Sequence, residues 1–179
     1  MATDRLFLAL RPDAPAAARI RELAQRLRAA CGLAGQPLPL DRLHLTLYFL
    51  GDHAGLPPEL LAAAETAAGS TRAARFDIRL DSVKSFVGGR GPAPLVLCRQ
   101  DGSPPLVRLR RQLETAIART RQFPADSRAF QPHVTLLYDR QRLAPRSVEP
   151  VAWTATEVLL VRSLIGRAQH EVLARYPLR

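Results

Sequence analysis

The hydrophobic pattern changes period several times along the chain, and each change marks an element. Leu6 to Leu10 form a short apolar run between Arg5 and Arg11, which reads as a first strand broken by Pro12 and Asp13. Over 14–31, Ile20, Leu23 and Leu27 recur at helical spacing with Arg19, Glu22 and Arg26 off the stripe, and Gly32 stands where a helix ends on a left-handed residue. A loop over 33–39 leads to a second strand, closed by Gly51 and Asp52. Pro57 and Pro58 suit the first turn of a helix over 59–68. Over 76–86, Phe76, Ile78 and Leu80 alternate with Asp77, Arg79 and Asp81, the mark of a half-buried strand. A loop over 87–94 and a short strand over 95–98 follow. Ser103, with Pro104 and Pro105 behind it, predicts an N-cap. The helix it opens carries Leu106, Leu109, Leu113 and Ile117 on one face and Arg108, Arg111 and Arg119 on a solvated one. Beyond it the pattern predicts a loop over 123–130, a strand from Pro132, a loop over 140–150, a long strand with a bend over 151–165, a turn at Gly166 and a last strand over 170–178. Such an order predicts an α+β fold with mainly antiparallel sheets.

One local pattern occurs twice. Leu43 to Gly51 reads Leu-His-Leu-Thr-Leu-Tyr-Phe-Leu-Gly, and Pro132 to Tyr138 reads Pro-His-Val-Thr-Leu-Leu-Tyr. Both contain His-x-Thr-Leu, at His44/Thr46 and His133/Thr135, inside strand-forming residues. Strand side chains alternate between faces, so each His and Thr share a face, about 7 Å apart, while Leu45, Leu47, Val134 and Leu136 point the other way. A lone strand histidine is ordinarily structural. Here two of only four histidines begin the same pattern. Chance would place His-x-Thr in a chain of this composition about 0.2 times. The copies lie 89 positions apart (133 minus 44), half the chain, and a helix-containing segment precedes each. This predicts an internal duplication: one domain over 1–179, with two lobes each offering a motif strand to a shared cleft.

Composition narrows the partner. The chain is 47% hydrophobic, enough for a real core. Its formal net charge of +10 points to a polyanion such as RNA, although an arginine-rich bias shared with abundant Ala, Leu and Pro weakens that signal. Cys31 and Cys98 lack metal-type spacing and read as reduced, buried thiols. The apolar run near the N-terminus is too short for a signal core, and no stretch would span a bilayer. A soluble cytoplasmic protein is expected, monomeric, with no obligate protein partner and no membrane partner.

Histidine exchanges protons near neutral pH. Two facing histidines, one neutral and one protonated, suit in-line displacement at phosphorus, where attacking and leaving oxygens lie on opposite sides. Thr46 and Thr135 would donate to the non-bridging oxygens. Other chemistries fit less well. Two histidines without a third ligand do not make a metal site, Asp52-His53 adds little to that, and no cofactor is expected. Gly88-Gly89-Arg90-Gly91 lacks the Lys-Ser/Thr end of a P-loop and reads as a substrate-side loop or a plain turn. No Ser or Cys nucleophile motif is present.

The two motifs closely resemble those of the two-histidine phosphoesterase superfamily, and within it the RNA 2′,3′-cyclic phosphodiesterases, once called 2′-5′ RNA ligases. Arg5-Leu-Phe-Leu-Ala-Leu resembles that family's opening strand, and Val161-Arg162-Ser163 with Gly166 and Tyr176-Pro177-Leu178 resembles its ending. The resemblance implies a bilobal α+β fold around a central cleft and metal-free opening of a 2′,3′-cyclic phosphate to a 2′-phosphate, with 2′-5′ ligation as the reverse-type reaction. By the family pattern His44 protonates the departing 3′ oxygen, His133 activates water, Thr46 and Thr135 bind phosphate, and Phe49 lines the pocket. The substrates implied are RNA ends or small cyclic nucleotides. Relatives often carry Arg five after the second histidine, where this chain has Tyr138; Arg140 or Arg90 could stand in for it, or the tyrosine hydroxyl could suffice. The family often has Tyr where this chain has His170. A nucleobase would stack on Tyr48, Phe49 or Tyr138. The competing class is a non-catalytic basic module that binds RNA ends or nucleotides.

Overall fold

The computed structural model describes residues 1–87, 91–99, 103–126, 129–167 and 169–179. Gly88, Gly89 and Arg90 of the glycine-rich loop lie outside the described residues. The chain runs β1 (Asp4–Leu10), α1 (Ala14–Cys31), a 3₁₀ turn (Leu40–Arg42), β2 (Leu45–His53), α2 (Pro58–Gly69), β3 (Phe76–Ser85), β4 (Ala93–Cys98), α3 (Pro104–Thr120), β5 (His133–Asp139), β6 (Arg146–Ala155), β7 (Glu157–Leu164) and β8 (Gln169–Pro177). Asp13 caps α1 through a 2.8 Å bond from the Ala16 amide, and Gly32 ends it at φ 64°. Ser103 sits at the N-cap of α3, but its hydroxyl makes no capping bond.

The expected loop over 140–150 is half strand. β6 begins at Arg146, and the bend expected within 151–165 is a break at Thr156 that separates β6 from β7. β6 pairs along β3 while β7 pairs along β1, so the break sends the chain from one edge of the sheet across to the other half. Alternation within each segment is strong, but hydrophobic pattern alone does not say which strand will be the neighbour.

Eight strands form one sheet in the order β6-β3-β4-β5-β2-β1-β7-β8, with every pairing antiparallel. β1-α1-β2 and β4-α3-β5 are the same strand–helix–motif-strand unit, and β4 begins 89 residues after β1, the same offset that separates the histidines. The two motif strands meet at the centre, where among the described residues a single pair, Leu45 opposite Val134, joins β2 to β5.

The three helices share one apolar core with one sheet face. Leu6, Leu8, Leu10, Leu45, Leu47, Val134 and Leu136 belong to it, together with Ile20 and Leu23 of α1, Ala64 of α2 and Leu109 and Leu113 of α3. Among the described residues the opposite face carries a small apolar cluster, Phe7, Ala9, Leu159 and Val161. That is the face to which His44, Thr46, His133 and Thr135 point by parity. No helix among the described residues is long and apolar enough to cross a membrane. Cys98 is buried, whereas Cys31, expected to be buried too, is half-exposed at the end of α1 with an Arg146 Nη1 against its sulfur at 3.5 Å.

Candidate active site

The single Leu45–Val134 pair fixes the centre of the site. Extending that antiparallel register one residue either way sets His44 opposite Thr135 and His133 opposite Thr46. All four line one cleft of about 1170 Å³. Neither threonine hydroxyl bonds to another described residue, so both remain available to a ligand.

Both histidines are held the same way. His44 Nδ1 lies 2.7 Å from the Arg42 carbonyl and His133 Nδ1 lies 2.6 Å from the Gln131 carbonyl, in each case two residues upstream. A carbonyl can only accept, so the proton sits on Nδ1, and Nε2 is the atom left to exchange protons. An aromatic ring steadies each imidazole. Phe7 stacks on His44 at 4.9 Å, and Phe86 meets His133 edge-on at 4.7 Å. Burial pushes His44 down to about 4, with His170, His133 and Arg11 adding repulsion against the Arg42 carbonyl's opposing pull. Burial also lowers His133, helped by Lys84 and opposed by the Gln131 carbonyl.

Strict alternation puts the fifth residue after each histidine on the wrong face. A bulge corrects it in both motifs. Leu8 and Ala9 of β1 pair with Tyr48 and Thr46, leaving Leu47 as an extra residue; Leu95 and Val96 of β4 pair with Leu137 and Thr135, leaving Leu136 extra. The leucine of each His-x-Thr-Leu is thus the bulged residue. Beyond it Tyr48 and Leu137 turn into the core, and Phe49 and Tyr138 turn to the cleft. Tyr48 is therefore no platform for a base: it is buried, and the Arg110 guanidinium covers its ring at 4.4 Å. Phe49 is overlaid by Arg5 at 5.5 Å, itself bound to Asp52 by two 2.8 Å bonds. Tyr138 is half-exposed at the mouth.

The cleft is cationic. Among the described residues Arg5, Arg42, Lys84, Arg110 and Arg142 line it, against one carboxylate, Asp126. Asp126 is already engaged by Arg110 at 3.3 Å. Net attraction for an anion follows. Arg42 is placed by the 3₁₀ turn just ahead of His44, and its Nε is buried without a partner among the described residues. Arg140, offered from sequence as a stand-in for an arginine at position 138, is exposed and does not line the cleft. The turn after Asp139 brings Arg142 there instead, its Nη1 donating to the Phe86 carbonyl at 2.8 Å. Arg90 lies outside the described residues. Among the described residues no three His, Cys, Asp or Glu side chains gather as metal donors.

Residues 9–166 match the 2′-5′ RNA ligase superfamily. Over 98% of its length the chain is 32% identical to RNA 2′,3′-cyclic phosphodiesterase of Escherichia coli (strain K12), and it covers 97% of that protein. This chain belongs to the 2′-5′ RNA ligase superfamily. Its fold is that of LigT. The crystal structure of E. coli LigT complexed with 3′-AMP covers 98% of both chains at 30% identity and a TM-score of 0.78, and the LigT complex with ATP covers the same share at 29% identity and 0.74.

For this member of the superfamily, hydrophobic patterning missed three cleft residues. His170 of β8 packs edge-on against His44 at 5.1 Å and Phe7 at 5.6 Å, so two histidines share one side of the cleft. Burial, with Arg42 and Arg11 nearby, lowers it to about 4. Lys84 is the one lysine of the chain and lies over Phe86 at 5.8 Å. Arg110 lies under the first motif, bonding the carbonyl of the bulged Leu47 as well as Glu114 and Asp126. A signal for Arg110 existed: position 110 is four after Leu106 on the apolar stripe of α3, where an arginine has to find partners.

Proposed function

We infer that the chain is an RNA 2′,3′-cyclic phosphodiesterase that opens the ring to a 2′-phosphate by general acid–base catalysis, in a cleft between two pseudo-symmetric lobes. The observation that carries this reading is the matched pair of histidines, each with Nδ1 tied to a carbonyl, across a cation-lined cleft. That E. coli LigT was crystallised with 3′-AMP and with ATP supports a nucleotide as the ligand of this cleft too.

The cyclic phosphate sits between Thr46 and Thr135, whose free hydroxyls donate to its non-bridging oxygens. Neutral His133 takes a proton from water through Nε2 as the water attacks phosphorus. His44 gives its Nε2 proton to the departing 3′ oxygen in line. Free His44 titrates near 4, so it is neutral before substrate arrives. The phosphate anion beside it favours imidazolium and lifts it back toward neutrality, so the acid is charged when the substrate is in place. Arg42, Lys84 and Arg142 hold the added negative charge. Phe49 and Tyr138 contact the nucleoside. The test is His44→Ala and His133→Ala, each expected to reduce turnover by about a hundredfold or more with the fold intact by circular dichroism. Unchanged turnover in either variant rejects the mechanism, and nucleotide binding insensitive to both, without any turnover, would leave a binding module.

A further inference from the structure

Two arginines flank the histidines at one side of the cleft. Arg11 stands just past the end of β1, and by parity it continues the face of Phe7 and Ala9, on which the cleft lies. Arg42 comes from the 3₁₀ turn, which packs against β8, the strand that carries His170. Arg11 is close enough to repel a proton from both His44 and His170, and Arg42 from His170. His44 and His170 touch each other edge-on at 5.1 Å, so the four side chains form one corner.

Both arginines are half-buried. Each has its Nε buried, and neither donates a hydrogen bond to a described residue. Buried donors are ordinarily satisfied, because their lost hydration is otherwise not repaid. Two like charges in one corner raise that cost. The carboxylates nearby do little to lower it. Asp41 is exposed on the turn, and Glu157 is held by Arg175, which itself repels Arg11. The group that answers all of these donors at once is a phosphate, whose oxygens match the planar fork of an arginine. An anion there would also offset the burial that keeps His170 neutral, and so add a third donor.

Position decides which phosphate that is. On the proposed mechanism the reacting phosphorus lies between Thr46 and Thr135, and O3′ faces His44. In a ribose C3′ is bonded to C4′, which carries C5′ and O5′, whereas the base hangs from C1′ beside C2′. A group on O5′ therefore lies on the O3′ side of the sugar, where His44, His170 and Arg11 stand. We propose that Arg11, Arg42 and His170 bind the phosphate on the 5′ oxygen of the same nucleotide whose cyclic phosphate is opened. This rests on the functional reading above and narrows its substrate to a nucleotide carrying a phosphate at each end, as the last residue of an RNA strand does, over a bare nucleoside cyclic phosphate. Arg42 also lines the cleft and stands between the two phosphates; Arg11 does not line the cleft and serves the 5′ one alone.

The test compares three substrates: adenosine 2′,3′-cyclic phosphate, the same nucleotide with a 5′-phosphate, and diadenosine with an ordinary 3′-5′ linkage ending in the cyclic phosphate. Wild type is expected to favour the second and third over the first by about tenfold in kcat/KM, chiefly through KM. Arg11→Met keeps the apolar stem and removes the fork; most of that preference is expected to vanish while hydrolysis of the first substrate stays within about threefold of wild type. Arg11→Lys keeps the charge without the fork and should retain part of the preference. Wild type that treats the three alike, or that favours the dinucleotide but not the 5′-phosphate, overturns the proposal, and this comparison decides even if the variants fail to fold. A folded Arg11→Met that keeps the preference, or loses equally on all three, overturns it too. Wild type inert toward all three strikes the functional reading itself, and this proposal falls with it.

Discussion

Replacing Arg110 with methionine removes a buried cation from beneath the first motif. Only 6% of the arginine side chain is exposed, and it faces Asp126, itself 7% exposed, at 3.3 Å. It also donates to the Leu47 carbonyl and lies between the rings of Tyr48 and Phe130 at 4.4 and 5.4 Å. Its bond to Glu114 matters less, because that carboxylate is 43% exposed and screened by water, a setting worth about 0.5 kcal/mol. Methionine keeps the apolar packing but leaves Asp126 without this cation and the bulge carbonyl without its donor. Breaking a buried pair on one side costs about 3–5 kcal/mol. A typical domain has roughly 5–15 kcal/mol to lose. Urea denaturation should therefore show a still-folded protein with about 3 kcal/mol less stability. Adding Asp126→Asn should recover part of the loss, because it removes the buried carboxylate charge that faces Arg110. Leu47 is the bulged residue that turns Phe49 into the cleft, so KM for a nucleoside cyclic phosphate should rise as well. A loss below about 1 kcal/mol, or an Asp126→Asn effect that simply adds to the first, would refute the assignment of Arg110 as the bulge's anchor.

Three further outcomes are expected. Gly35→Ala would place a Cβ 2.1 Å from the Tyr138 carbonyl oxygen and strain the 2.7 Å bond from the Gly35 amide to Asp139; a loss of about 2–3 kcal/mol in urea denaturation is expected, and an unchanged midpoint would contradict the packing. His44 and His133 are both held below their ordinary 6.5, so on the proposed mechanism the one-proton form of the pair thins out as pH rises: kcat/KM should fall about tenfold per pH unit above 7, and a rate rising through pH 8 would contradict the paired roles. His170→Ala lets water reach His44, whose depression comes chiefly from burial; the falling limb should move to higher pH and the His44 ring titrate higher by NMR, and an unmoved limb would deny His170 a positioning role.

How much of this was legible before folding depended on whether the signal was local. The His-x-Thr pairs were legible because strand parity needs only neighbours, and the 89-residue offset between them proves to carry a whole strand–helix–strand unit. The places of Phe49 and Tyr138 were not legible from parity, because one extra residue in each motif strand reverses the faces. That same reversal buries Tyr48, an apparent stacking platform. The 3₁₀ turn that sets Arg42, and the turn that selects Arg142 over Arg140, are matters of loop geometry. His170 reaches His44 only because β8 lies beside β7 and β7 beside β1, a strand order that no local pattern states.

On the proposed mechanism His44 and His133 open a cyclic phosphate with O3′ as the leaving group. Its most direct test is to incubate the purified protein with a nucleoside 2′,3′-cyclic phosphate in EDTA and identify the product isomer by phosphorus NMR. The expected product is the 2′-phosphate, lost in both histidine variants. The 3′-phosphate would contradict the assignment of His44 to the 3′ oxygen, and no product from either this substrate or an RNA bearing the same end would contradict the enzyme itself.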